Sequence, residues 1–174
     1  MKQTIPGLIA AIMALSSCNQ QTTTTNHVKV KENPVNTKVT EQALDKGLFA
    51  TLKIKNEFKT GEPVKLKFTV YNSTDSVKQF CKWHTPFEPL MSKYLEIKEA
   101  NGEEAAYQGP MAKRMMPPPA SSYQKINPGD SLSIDVDLLK GYAVQKPGRY
   151  TLSYTGQGMS GLVVKDSVVF HILP

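Results

Sequence analysis

The stretch VKLKFTVYN, residues 64–72, alternates apolar and polar side chains. Its apolar positions are Val64, Leu66, Phe68 and Val70, and lysines or a threonine separate them. Alternation with a period of two residues is typical of a β-strand that buries one face and leaves the other in water. The stretch therefore predicts a strand that covers one side of a hydrophobic core.

Four further segments follow the same alternation. Their apolar residues are Leu48, Ala50, Leu52 and Ile54; Leu132, Ile134, Val136 and Leu138; Tyr150, Leu152 and Tyr154; and Val168, Phe170 and Ile172. The turn signals TGEP, NSTD, NPGD and KPGR separate these segments, and Asn101-Gly102 predicts a hairpin because both positions tolerate positive φ. No segment has the period of an amphipathic helix. The sequence therefore predicts an all-β fold, an antiparallel immunoglobulin-like β-sandwich of about 7–9 strands over residues 47–174.

The N-terminus is similar to a bacterial lipoprotein signal. Lys2 precedes an apolar run over residues 5–15, which is too short for a membrane span of about 20 residues but suits a signal-peptide core. The run ends in LSSC, which is similar to a lipobox, where the cysteine is diacylated and the peptide before it is removed. We predict a signal peptide over residues 1–17 and lipidation of Cys18; the alternative is an ordinary cleaved secretory signal.

Residues 18–46 are expected to hold the lipidated cysteine and a flexible tether. The segment contains QQTTTTN and lacks sustained periodicity, which is typical of disorder. A flexible chain of this length spans about 30 Å. Several acyl chains anchor a protein stably in a membrane, and Asn19 in place of an aspartate favours the outer membrane. The expected location is the bacterial cell envelope, with the outer membrane favoured.

The single inner cysteine, Cys81, lies in a segment with its own alternation. Val77, Gln79, Cys81 and Trp83 occupy alternate positions, which predicts a third strand with an inward tryptophan, as in immunoglobulin-like sandwiches. With Cys18 used for lipid, no internal disulfide is expected. Cys81 is expected to be a buried, slowly alkylated small hydrophobic residue.

Charge and motifs argue against nucleic-acid binding and catalysis. The net charge of +6, or +5 without Lys2, is spread along the chain with no basic block, so no nucleic-acid partner is expected. The sequence has neither the HExxH motif of zinc proteases nor the GxSxG motif of serine hydrolases. GQGMSG, residues 156–161, fits GxGxxG but is expected to be a flexible turn before a strand, without a helix to hold a pyrophosphate. The sequence therefore predicts a non-enzyme without a cofactor.

FCKWHTPFEPLM, residues 80–91, is the strongest candidate for a metal site. Cys81, His84 and Met91 are similar to the Cys–His–Met loop of blue-copper proteins. Those proteins need a second histidine from an earlier strand, and the only earlier histidine here, His27, lies in the tether. A looser copper site would use Cys81, His84, Met91, Met111, Met115 and Met116. Methionine packing under an irregular loop explains these residues without a metal, and we therefore predict none.

YQGPMAKRMMPPP, residues 107–119, is the candidate binding loop, and we call it the methionine loop. It is expected to connect the hairpin to a strand beginning near Tyr123, because glycine and proline end strand pairing and three prolines favour a stiff extended chain. A stiff loop loses little entropy on binding. The candidate contact residues are Tyr107, Gly109, Pro110, Met111, Lys113 and Arg114. Methionine side chains can make adaptable apolar contacts, and Lys113 and Arg114 can bind a carboxylate of a partner. The alternative is a crossover whose methionines fill one end of the core.

Six sequence motifs occur in the same order as in a domain of a known protein family. FTVYNSTD, FCKWHTPFE, YLEI, YQGPMAKR, INPGDSLSIDVDL and KPGRYTLSY resemble the non-catalytic β-sandwich domain that precedes the protease domain of deuterolysin-like peptidyl-Lys metalloendopeptidases. The resemblance covers about residues 48–154. Without HExxH in this sequence, it implies the fold and not the protease activity.

These observations lead to one function hypothesis and two alternatives. The first is a membrane-anchored envelope lipoprotein that presents a non-catalytic binding module to proteases or other envelope proteins. The alternatives are a periplasmic lipoprotein that handles copper or another metal, and a component of a peptidase system, which the family resemblance alone implies.

Overall fold

The structure is a computed structural model that describes residues 47–174, and within them it has nine strands. The strands are β1 (Leu48–Ile54), β2 (Glu57–Lys59), β3 (Lys65–Asn72), β4 (Lys78–Cys81), β5 (Leu95–Glu99), β6 (Tyr123–Ile126), β7 (Ser131–Asp137), β8 (Gly148–Tyr154) and β9 (Val168–Leu173). The predicted all-β class is confirmed. The predicted signal peptide, Cys18 and the tether lie outside the described residues.

The strands form two main sheets and a ribbon. One sheet has the order β1-β3-β7, the other has the order β2-β9-β8-β5, and β4 pairs with β6. All pairs are antiparallel except β2 with β9, which run parallel over three residues. The two main sheets pack face to face, because one core cluster takes Leu66 from the first sheet and Ile97, Leu152 and Phe170 from the second. A second core cluster lies where Phe68 of β3 meets Phe80 and Ile126 of the ribbon.

Three short helical turns interrupt the strands. Two are 3₁₀ turns, Ala120–Ser122 and Leu138–Lys140, and the third is an α-helical turn, α1 (Gln157–Ser160). The glycine-rich stretch 156–161 was predicted as a flexible turn, and it instead forms this helical turn, which ends at Gly161 in the left-handed conformation with φ 76°. Among the described residues, no helix is long and apolar enough to cross a membrane.

The predicted hairpin after β5 is present, with a different turn. The N–H of Gly102 donates to the carbonyl of Glu99 at 2.9 Å, so Ala100 and Asn101 occupy the central positions. Gly102, with φ 89°, takes the left-handed position that follows such a turn. The returning chain forms no full strand: it makes one bridge, between Lys98 and Glu104, flanked by hydrogen bonds from the N–H of Glu99 to the carbonyl of Glu103 and from the N–H of Ala105 to the carbonyl of Ile97.

The predicted inward face of Val77, Gln79, Cys81 and Trp83 is confirmed only at Cys81 and is wrong at the other three positions. Val77 is 54% exposed, whereas Phe80 is 2% exposed and fills the second core cluster. The strand ends at Cys81, which is buried as predicted, and a turn begins where the N–H of Thr85 donates to the carbonyl of Lys82. Trp83 therefore lies in a turn, where the alternation of a strand no longer applies.

The inward position of Phe80 can be tested by unfolding. We expect Phe80→Ala to lower the free energy of unfolding by about 3–5 kcal/mol, because it leaves a cavity among packed rings. Val77→Ala, three residues away on an exposed site, should change it by less than about 0.5 kcal/mol. Urea denaturation of both variants measures the difference, and equal losses would show that our assignment of the buried face of β4 is wrong.

Candidate functional site

The first residues of the methionine loop form a compact turn beneath Tyr107. This tyrosine makes an antiparallel bridge with Tyr142, and the centroids of the two rings lie 5.1 Å apart. Its hydroxyl donates to the carbonyl of Pro110 at 2.9 Å. Gly109 lies so close to this hydroxyl that a Cβ atom there would collide with it. The glycine is therefore needed for the tyrosine to close the turn.

Arg114 fixes the middle of the loop. Its Nη2 lies 2.6 Å from Oε2 of Glu88, and the two side chains are only 19% and 10% exposed. The guanidinium also lies over the ring of Trp83, at 4.8 Å from the centroid. Such an arrangement combines a charge-assisted hydrogen bond with a cation–π contact. Arg114 therefore holds the loop through contacts within the domain, and its predicted contact with a partner stays a prediction.

The partners of Arg114 belong to residues 82–91, which we call the floor segment. The main-chain N–H of His84 donates to Oε1 of Glu88 at 3.0 Å, so both carboxylate oxygens have partners. The N–H of Ala112 donates to the carbonyl of Met91 at 2.8 Å. The methionine loop is thus joined to the floor segment by an ion pair and a backbone hydrogen bond.

A partly buried tyrosine supports the floor segment. The hydroxyl of Tyr154 donates to the carbonyl of His84 at 2.9 Å and lies 2.7 Å from Oγ of Ser160. Burial raises the pKa of Tyr154 to about 12, so its hydroxyl stays protonated and donating at neutral pH. A Cβ atom at Gly156 would collide with the carbonyl oxygen of His84. His84 itself has φ 59°, a conformation that a non-glycine residue adopts only when its surroundings hold it.

On this fixed base the loop exposes its methionines. Met111, Met115 and Met116 are 70%, 87% and 66% exposed. The alternative in which they fill one end of the core is therefore wrong. Lys113 is also exposed, and in the part of the chain that the structure describes it has no ion pair. The surface consists of three thioethers and one free ammonium.

The residues considered for copper lie in different environments. Cys81 is 3% exposed in the core, whereas Met115 and Met116 stand out in solvent. His84 and Met91 are partly buried, and both use their backbone to hold the floor segment and the loop. Within residues 47–174, no group of three His, Cys, Asp or Glu side chains is placed to hold a metal ion. Looser copper binding by the methionines stays the alternative to the predicted absence of a metal site, and these contacts do not test it.

Sequence patterns did not reveal the residues that fix the loop. Glu88 and Arg114 are 26 residues apart in two irregular segments, and neither strand alternation nor a local motif relates them. Trp83 was expected in a strand, and Tyr154 was identified only as a core residue. The sequence singled out the methionine loop but left its methionines either exposed or packed against the core, and it missed the residues that support the loop.

The role of Arg114 predicts a difference between two neighbouring cations. Arg114→Met should lower the free energy of unfolding by roughly 2–4 kcal/mol, because it leaves the carboxylate of Glu88 buried without its partner. Lys113→Met, the matched control, should change it by less than about 0.5 kcal/mol, since an exposed charge contributes little. Thermal and urea unfolding compare the two, and similar stabilities would show that the ion pair does not hold the loop.

Comparison with known proteins gives one family. A family model described as an immunoglobulin-like domain matches residues 51–164. No curated protein matches the chain. Structures of a beta-glucosidase from Listeria innocua, one of a mutant with laminaribiose and one of the enzyme with glucose, align at a TM-score of 0.36 with 12% and 11% identity. The alignments cover 73% of this chain and 16% of the enzyme. A likeness this low carries no argument about fold or activity.

Proposed function

Because the chain belongs to the immunoglobulin-like domain family, we propose that it is a non-catalytic binding module that recognises a protein partner through the methionine loop. The observation that carries the proposal is the contrast within the loop. Its arginine and tyrosine are tied to the domain, whereas its three methionines are 66–87% exposed. Exposed apolar side chains grouped on a held backbone are typical of surfaces that bind other proteins.

The exposed side chains of the methionine loop indicate what kind of surface a partner must present. Methionine is flexible and polarizable, so it adapts to an irregular apolar surface. Fully burying one such side chain contributes about 1.5–3 kcal/mol, and the held backbone limits the entropy lost on binding. Lys113 adds a single positive charge at the same surface. The matching partner surface is an apolar depression bordered by a carboxylate.

The proposal includes the envelope lipoprotein predicted from residues 1–46. The LSSC stretch supports lipidation at Cys18, and the tether would hold the domain clear of the lipid headgroups. We propose the outer membrane as the membrane that holds the lipid anchor. The motifs that resemble the sandwich domain of deuterolysin-like peptidases are the ground for proposing proteases as one class of partner, because in those enzymes the similar domain accompanies a protease.

The binding surface is tested by replacing Met111, Met115 and Met116 with glutamine, which keeps their length and removes their apolar character. Partners captured from solubilised envelope are identified, and binding of a purified partner is then measured. The triple variant should bind at least about tenfold more weakly, with an unchanged melting temperature, because each methionine contributes apolar contact.

The matched control is Val77→Gln, which removes an exposed apolar side chain that is not part of the loop. It should bind the partner as the unmodified chain does. Equal binding by the triple variant and the unmodified chain would refute the methionine loop as the binding surface.

The anchor is tested separately with Cys18→Ala. We expect loss of acyl labelling and accumulation of unprocessed precursor, because the lipid-dependent peptidase acts only on a modified cysteine. Labelling with a fatty-acid analogue and detergent partitioning measure both effects. Normal processing and unchanged partitioning in this variant would refute the lipoprotein assignment while leaving the binding surface to be judged by its own experiment.

A further inference from the structure

Strand β7 has a free edge. It is the last strand of the β1-β3-β7 sheet, and within residues 47–174 neither a strand nor an isolated bridge pairs with its other side. Its sequence, SLSIDVD, contains no proline or lysine, and its only charged residues are Asp135 and Asp137. The edge is therefore open to an added strand.

The register with β3 shows which backbone groups are free. The N–H of Leu138 donates to the carbonyl of Val64, and the N–H of Asn72 donates to the carbonyl of Asp130. In antiparallel pairing, hydrogen-bonded pairs recur every second residue. Even-numbered residues of β7, with Ile134 at the centre, therefore bond to β3. The odd-numbered residues, Ser131, Ser133, Asp135 and Asp137, direct their N–H and carbonyl groups toward the open edge.

We propose that β7 pairs antiparallel with β7 of a second copy of this chain, with the two-fold axis at Ile134. This register places Ser133 opposite Asp135 of the second copy and Ser131 opposite Asp137 of the second copy. Each carboxylate then faces a hydroxyl, which is a favourable cross-strand pair. An isologous contact of this kind closes on itself as a dimer.

Other two-fold registers are worse. An axis at Asp135 would set two carboxylates directly opposite each other, which destabilises a strand pair. An axis at Ser133 would pair only residues 131–135 and leave Asp137 beyond the overlap. The axis at Ile134 uses all seven residues of the strand. Charge and length together select this register.

The side chains on both faces of β7 suit the same register. On the inner face, Leu132, Ile134 and Val136 are only partly buried, and the second copy would place Val136 against Leu132 and Ile134 against itself. On the outer face, Oγ of Ser133 lies 2.8 Å from Oγ1 of Thr69. If Thr69 donates in that bond, the hydroxyl of Ser133 is free to donate to Asp135 of the second copy.

A charge series in the full chain with Cys18→Ser tests the dimer. We expect this chain to dimerise in sedimentation equilibrium, and Ser133→Asp to weaken the dimer at least tenfold by placing carboxylates opposite each other. Ser133→Asn, equal in size but neutral, should retain the dimer. Adding Asp135→Lys to Ser133→Asp should restore it, because the introduced charges then pair across the axis.

A monomer, or a dimer insensitive to Ser133→Asp, overturns the proposal. If the chains associate through residues 1–46 instead, the dimer will be insensitive to Ser133→Asp, because the substitutions in β7 do not change that segment. Circular dichroism melting checks that each variant folds. The methionine loop is untouched in all of them, so the capture experiment above gives its result independently.

Cross-linking tests the register directly, again with Cys18→Ser so that only the buried Cys81 thiol remains. In a hydrogen-bonded antiparallel pair the Cα atoms lie about 5.5 Å apart, within the range of a disulfide. A mixture of Ser133→Cys and Asp135→Cys chains should therefore oxidise to a cross-linked dimer, and neither variant alone should do so. Cross-linking by one variant alone, or none in the mixture, contradicts the axis at Ile134.

Discussion

The buried amide of Asn72 is the interaction on which the arrangement of the described domain depends. The residue is 1% exposed, and its Nδ2 donates to the carbonyls of Ser76, Ile126 and Asn127. Its Oδ1 accepts from the N–H and the hydroxyl of Thr74. One side chain therefore joins the end of β3 to the loop before β4 and to the turn after β6. A hydrophobic residue of the same size could pack there but could not satisfy these backbone groups.

The position of the methionine loop follows from this junction. β4 leads directly into the floor segment, and β6 begins just after the loop ends, so Asn72 fixes the strands next to both segments. The floor segment, which follows β4 of the ribbon, accepts a hydrogen bond from the hydroxyl of Tyr154 at the carbonyl of His84. It also places the carboxylate of Glu88 beside Arg114 of the methionine loop. The surface methionines can stay exposed because the polar contacts beneath them, and not apolar burial, determine the path of the loop.

Most of the strands could be predicted from sequence, because burial of one sheet face imposes a two-residue period wherever a strand is long enough. The prediction failed at Trp83, where the strand is four residues long and a turn follows at once. The supports of the loop could not be predicted for a different reason. Two contacts support the loop, and each joins residues far apart in the sequence: Glu88 with Arg114, and Tyr154 with His84. These residues come together only when distant segments pack, so no local sequence pattern predicts the contacts.

The two proposed surfaces belong to different parts of the domain, and they combine physically. Pairing through β7 would give an assembly with two methionine loops, and a partner with two sites would then bind the second loop at a raised effective concentration. A dimer would also double the number of lipid anchors if Cys18 is acylated. Weak contact through three methionines would then be enough for stable capture, since linked weak contacts reach affinities that neither reaches alone.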